Sequence, residues 1–168
     1  YGADGYVLNA WGDNATDIEN LPYYVDSISY GTEDRNGNYL AKTGTADTLP
    51  DGLPNPEDSE DTRKISYRFD DKCLTVKIRV NDNDTHKVTF YALAENGRKV
   101  SYQAFKADTK IPVSQKIEIE KLSQGKYVTV TFAGSIDVVI NNENYSPLKT
   151  NAVVNGIFFD TDYGDVIP

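Results

Sequence analysis

Apolar residues in this chain recur at every second position, in short runs, and nowhere form a sustained stripe at helical spacing. Leu74, Val76, Ile78 and Val80 alternate with Thr75, Lys77 and Arg79. Val128, Val130 and Phe132, then Ile136, Val138 and Ile140, repeat the pattern, and Ile117-Glu118-Ile119-Glu120 shortens it. Period two places alternate side chains on opposite faces of a strand, so each run has one face for a core and one for solvent. Turn residues interrupt the runs about every eight to twelve positions, giving about ten short strands. The expected fold is therefore all-β: an antiparallel β-sandwich, jelly-roll-like. It forms a single module over residues 1–160, followed by a polar tail over 161–168.

The stretch His86 to Phe105 sits at the middle of this plan. Val88, Phe90 and Ala92 lie on one parity, with Tyr91 and Leu93 on the other. A strand apolar on both faces is central in its sheet. Asn96-Gly97 separates it from Lys99–Phe105 and predicts a hairpin, because both residues accept the positive φ of a type I′ turn. Two more hairpins are expected: Lys64–Phe69 with Cys73–Val80 around Asp70-Asp71, and Lys126–Phe132 with Ser135–Ile140 around Ala133-Gly134. Further strands are expected near Gly5–Trp11, Leu21–Gly31, Asn38–Thr43 and Ala152–Phe159. Residues 44–62 read as a mobile or insertion loop, since they hold Pro50, Pro54, Pro56 and the acidic run Glu57–Asp61.

With a net charge of -9, the chain is a poor partner for nucleic acid or an anionic membrane. No run of 18 apolar residues is present, so no membrane insertion is expected. Cys73 is the only cysteine, which rules out an internal disulfide and leaves a small residue in a strand as its natural role. No nucleophile motif or phosphate loop occurs, and one His with one Cys makes zinc a poor fit. The module is expected to be non-catalytic. Asn81–Thr85 reads as a tight acidic turn. It shares the opening of a calcium loop but lacks that loop's later Gly and Glu. A structural Ca²⁺ at an acidic edge of the sandwich is the one cofactor considered.

Aromatic residues are the remaining signal: 12 Tyr, 6 Phe and 1 Trp. A buried tyrosine needs a partner for its hydroxyl, so some of the twelve should be at the surface. Trp11, Tyr30, Tyr39 and Tyr67 fall near strand ends or in loops and are the candidate ligand-binding residues. Such rings could stack beneath a sugar while Asp, Asn or Arg side chains take its hydroxyls.

Four segments carry a family resemblance, in this order: Tyr1-Gly2-Ala3-Asp4-Gly5-Tyr6; His86-Lys87-Val88 through Tyr91 to Asn96-Gly97-Arg98; Gly125-Lys126-Tyr127; and Asn151 to Phe159. The chain resembles galactose-binding-like, carbohydrate-binding-module-like β-sandwich accessory modules of secreted bacterial glycoside hydrolases and surface proteins. The resemblance implies a secreted or cell-surface location, a polysaccharide or other glycan as ligand, and neighbouring domains in a larger chain. It carries over no ligand residues, and Ala92–Glu95 stands where the family usually has an Asp-Trp-Asp-like run. Within that pattern Phe158 and Phe159 cover opposite faces, Gly156 admits a close neighbour, and Arg98 could pair with Asp4 or Asp160. The alternative is a spacer or protein-interaction module that binds no sugar. An exposed row holding Trp11 and at least two tyrosines would favour the glycan.

Overall fold

The computed structural model describes residues 1–8, 18–32, 42–46, 65–70, 72–94, 97–144 and 152–161. Its strands are β1 (Gly5–Leu8), β2 (Ile18–Asn20), β3 (Val25–Thr32), β4 (Lys42–Ala46), β5 (Ile65–Asp70), β6 (Cys73–Val80), β7 (Thr85–Ala92), β8 (Lys99–Lys106), β9 (Ile117–Glu120), β10 (Lys126–Ala133), β11 (Ile136–Asn142), β12 (Ala152–Val154) and β13 (Gly156–Thr161). One 3-10 turn, Leu122–Gln124, precedes β10. The first sheet runs β10-β7-β13-β1-β2, the second β3-β6-β11-β8-β9, and a small third sheet β12-β5-β4. Every pairing is antiparallel.

The period-two runs become the two inner faces. Val88 and Phe90 of β7, Val128 and Val130 of β10, and Ile157 and Phe159 of β13 join one core with Leu74, Val76 and Ile78 of β6 and Val138 and Ile140 of β11. Phe90 reaches Tyr102 of β8 across the core, with ring centroids 5.5 Å apart. Burying one such ring contributes about 2–3 kcal/mol. β7 is interior to its sheet, paired with β10 on one side and β13 on the other.

The three expected hairpins do not form. β7 pairs with β10 and β13, so no slot beside it is left for β8, which pairs with β11 and β9 in the other sheet. Past Ala92 the chain stays buried through Leu93 and Ala94. The Leu93 N–H donates to Asn155 Oδ1 at 2.7 Å, and the Ala94 N–H to the Leu122 carbonyl at 3.3 Å. These bonds turn the chain across the roughly 10 Å between sheets. β10 and β11 are joined by only Gly134 and Ser135, yet they also lie in different sheets. Gly134 has φ +77°, and Ser135 ties the corner to the second sheet through bonds from the Val80 and Ala107 N–H groups. The turn after β5 is likewise a corner. Asp70 Oδ1 accepts the Lys72 N–H at 3.2 Å, while β5 pairs with β4 and β12.

Residues 44–46 fall in β4 rather than in the expected loop. The rest of that loop described as strand or otherwise is none: residues 47–62, with the Glu57–Asp61 run, lie outside the described residues, as do 162–168 of the tail. No helix among the described residues is long and apolar enough to cross a membrane.

Candidate functional site

The outer face of the first sheet is where alternation leaves aromatic rings outside. Val128, Val130 and Phe132 of β10 point inward, so Tyr127, Thr129 and Thr131 point outward. On β7, Val88 and Phe90 are in the core and Lys87, Thr89 and Tyr91 are on the other parity. Cross-strand register then lines up Tyr127, Tyr91, Gly156 and Leu8 in one row, and Thr129, Thr89, Phe158 and Tyr6 in the next. Phe158 and Phe159 do cover opposite faces, with Phe159 fully buried and Phe158 half-buried.

Two glycines shape this face. A Cβ on Gly156 would lie 3.1 Å from the Phe158 ring and 3.5 Å from Leu8 Cδ2, so those side chains occupy the space the glycine leaves. Gly125 has φ +71°, and a Cβ there would lie 2.7 Å from the Tyr91 hydroxyl. The Tyr91 hydroxyl is buried with no hydrogen-bond partner among the described residues. Burial first, and the neighbouring Tyr127 second, push its pKa from the ordinary 10.0 to about 12.

The rings stack in sequence. Tyr91 and Tyr127 have centroids 4.8 Å apart, and Tyr127 and Tyr1 are 5.0 Å apart with planes at 25°. Tyr127 is 51% exposed and Tyr1 76%. Beside the rings lies a hollow of about 460 Å³, walled by Tyr1, Lys87, Thr89, Thr129, Asp160 and Thr161 among others. Thr89 and Thr129 share a hydrogen bond between their hydroxyls, 2.9 Å. The site thus combines an apolar platform with hydroxyl, carboxylate and ammonium groups beside it.

The rim of the hollow is held by the two ends of the described chain. Asp160 accepts the Gly2 and Ala3 N–H groups, each at 3.0 Å. Asp4 Oδ2 accepts the Tyr24 hydroxyl at 2.9 Å and the Thr161 hydroxyl at 2.8 Å. Burial, then the bond to Asp4, pushes the Tyr24 hydroxyl well above the usual tyrosine range. Arg98 pairs with neither Asp4 nor Asp160. Asp160 lies opposite Lys87 near the start of β7, whereas Arg98 follows the far end of that strand. Backbone and hydroxyl donors close the ends instead.

Of the sequence-predicted ligand residues, two lie on described strands. Tyr30 is on β3 opposite Val76, partly buried and packed against the core cluster, so its ring serves the interior. Tyr67 is on β5 opposite Gly44, where only the backbone is described. Trp11 and Tyr39 lie outside the described residues. The tyrosine row that does exist was signalled by parity: Tyr127 alternates with core residues, and Tyr91 sits opposite in parity to Phe90.

For calcium, the Asn81–Thr85 turn spends Asp82 Oδ1 on the His86 ring nitrogen at 2.8 Å and the Asp84 N–H at 3.3 Å. Among the described residues no three His, Cys, Asp or Glu side chains converge to hold a metal. Cys73 is buried on β6, and His86 is on β7 in the other sheet.

No protein-family model matches the chain, and no curated protein matches it. Among solved structures it is similar to TmCBM61 in complex with β-1,4-galactotriose, with a TM-score of 0.43 and 12% identity over 81% of this chain and 89% of that one. It is also similar to a pectin-binding carbohydrate-binding module, with a TM-score of 0.43 and 12% identity over 86% of this chain and 94% of that one. A third is the module CBM6cm-2 of Cellvibrio mixtus lichenase 5A in complex with cellotriose, with a TM-score of 0.36 and 11% identity over 79% and 96%. All three are carbohydrate-binding modules.

Proposed function

We propose that this chain is a non-catalytic glycan-binding module of a secreted, multidomain protein, and that it binds through the outer face of its first sheet. The observation that carries this reading is the Tyr91–Tyr127–Tyr1 stack beside the threonine-lined hollow. A pyranose has an apolar face of axial C–H groups and a rim of hydroxyls, and this face offers a match to both. Two ring contacts at about 1 kcal/mol each and two or three hydrogen bonds of similar worth give a Kd of about 0.1–1 mM. The hollow holds Lys87 against Asp4 and Asp160, so a neutral glycan suits it better than a polyanion. That affinity is weak for a single module, and it suits a protein that gains avidity from several linked domains.

A second reading has one observation behind it. Leu8 is 39% exposed and continues the row from Tyr91 across Gly156, so the face has an apolar end suited to docking a neighbouring domain. Binding of the purified module to a panel of soluble and insoluble polysaccharides, with and without EDTA, separates the two. Retention on at least one neutral polysaccharide, lost in Tyr127→Ala, supports the glycan reading; an EDTA effect would bring in calcium. No retention on any member favours the docking surface.

A further inference from the structure

β10 ends the first sheet on one side, and β7 is its one strand partner among the described residues. The alternation of β7 decides which backbone groups of β10 are left over. The Tyr91 carbonyl accepts the Asn155 N–H at 2.9 Å, so the Tyr91 backbone faces β13. The backbone groups of His86, Val88 and Phe90, on the other parity, then face β10, where they meet Phe132, Val130 and Val128. Tyr127, Thr129, Thr131 and Ala133 therefore turn their N–H and C=O groups away from the sheet. All four residues are exposed, and these groups meet no other strand among the described residues.

Native edge strands are guarded by charge, proline, a bulge or shortness. Among the other edges of the two five-stranded sheets, β9 has four residues with Glu118 and Glu120 among them, and β2 has three. β3 carries a register shift between Val25 and Ser27. β10 has none of these guards. From Tyr127 to Ala133 it is uncharged and free of proline, and its register with β7 is unbroken.

We infer that two copies of this chain pair antiparallel along β10, about a two-fold axis at Val130. Such pairing sets Tyr127 opposite Ala133 and Thr129 opposite Thr131, so every outward N–H finds a carbonyl, about eight bonds in all. It keeps Val128, Val130 and Phe132 on the core side of the joined sheet and Tyr127, Thr129 and Thr131 on the other. The charges at the two ends of the strand agree with it. Lys126 begins β10, and Thr85, opposite Ala133, follows the turn that carries Asp82 and Asp84. Antiparallel pairing brings Lys126 of each copy toward the acidic turn of the other, whereas parallel pairing lays like charge on like. Each copy spends its β10 edge on the other, so association stops at two. The contact is a strand edge rather than a broad face, so the dimer is weak, with an expected dissociation constant of about 0.1–1 mM. It is independent of what the tyrosine face binds.

Sedimentation equilibrium of the chain from about 10 μM to about 2 mM, a range that brackets such an affinity, should show the average mass rising toward twice the monomer's and no further. Amide exchange followed by NMR should slow with concentration at Tyr127, Thr129, Thr131 and Ala133, while Val128 and Val130, already bonded to β7, should not change. Thr131→Pro removes an outward N–H that the monomer does not use, and an edge position accepts proline; it should weaken dimerisation at least about tenfold. Lys126→Glu should weaken it about threefold, and added salt should narrow that difference. If Thr131→Pro disturbs the fold by circular dichroism, the exchange pattern of the parent decides. A chain that is monomeric at the upper concentration, concentration-dependent protection on β3 or β9 in place of β10, or a folded Thr131→Pro variant that dimerises as well as the parent would each overturn the assignment.

Discussion

Replacing Asn155 by Ala tests why β7 and β8 part company. Asn155 stands between β12 and β13, 7% exposed, and its Oδ1 accepts the N–H of fully buried Leu93. Truncation leaves that donor buried without a partner, which costs about 1–3 kcal/mol. The lost amide also leaves a void, because the surrounding strands are anchored by the Asn155 N–H bond to the Tyr91 carbonyl and cannot collapse inward freely. Together the expected loss is about 2–4 kcal/mol. For a chain of this size that lowers Tm by roughly 5 to 12 °C. Urea denaturation followed by tyrosine fluorescence measures it, with Thr131→Ala on the exposed parity of β10 as a reference expected to stay within about 0.5 kcal/mol. An Asn155→Ala variant as stable as the Thr131→Ala reference would refute the claim that this side chain holds the crossover.

Gly125→Ala should destabilise by at least about 1 kcal/mol, because φ +71° is strained for any L residue and the new Cβ would meet the Tyr91 hydroxyl; near-ultraviolet circular dichroism should change as Tyr91 and Tyr127 shift. Stability should fall as pH rises from about 10 to about 12. In that window the unfolded Tyr91 has given up its proton while the folded one, with its pKa pushed up to about 12, still holds it. Urea midpoints at pH 9 and pH 11.5 measure this. Tyr91→Phe should make the fall shallower without abolishing it, since burial also raises Tyr24 and Tyr102.

Much of the fold was legible because strand alternation is local. The parity of Val128–Phe132 reappears as core against surface, the apolar parity of Leu74–Ile78 and Ile136–Ile140 reaches the core although Thr75 and Asp137 on the other parity are buried as well, and Phe158 and Phe159 do lie on opposite faces of β13. Strand pairing was not legible, because it depends on which sheet has a free edge. Asn96-Gly97 carries a hairpin signal, but buried Leu93 and Ala94 draw the chain across the core before the turn is reached. Gly134-Ser135 is short enough for a hairpin, yet the bonds that Ser135 accepts from both flanking strands of the second sheet make it a corner. The candidate site was missed for a related reason. Attention to Trp11 and to tyrosines near strand ends passed over Tyr127 and Tyr91, which lie within strands; their outward parity was readable, but only the pairing of β10 with β7 brings them together.

The most direct test of the glycan reading is a chemical-shift map. Uniformly ¹⁵N-labelled module would be titrated with the polysaccharide fragment that the binding panel selects. The account predicts that saturable shifts concentrate on Thr89, Tyr91, Tyr127 and Thr129, and that they vanish in Tyr127→Ala. Shifts centred instead on the outer face of the second sheet, around Thr75, Gln103 and Val139, would contradict it.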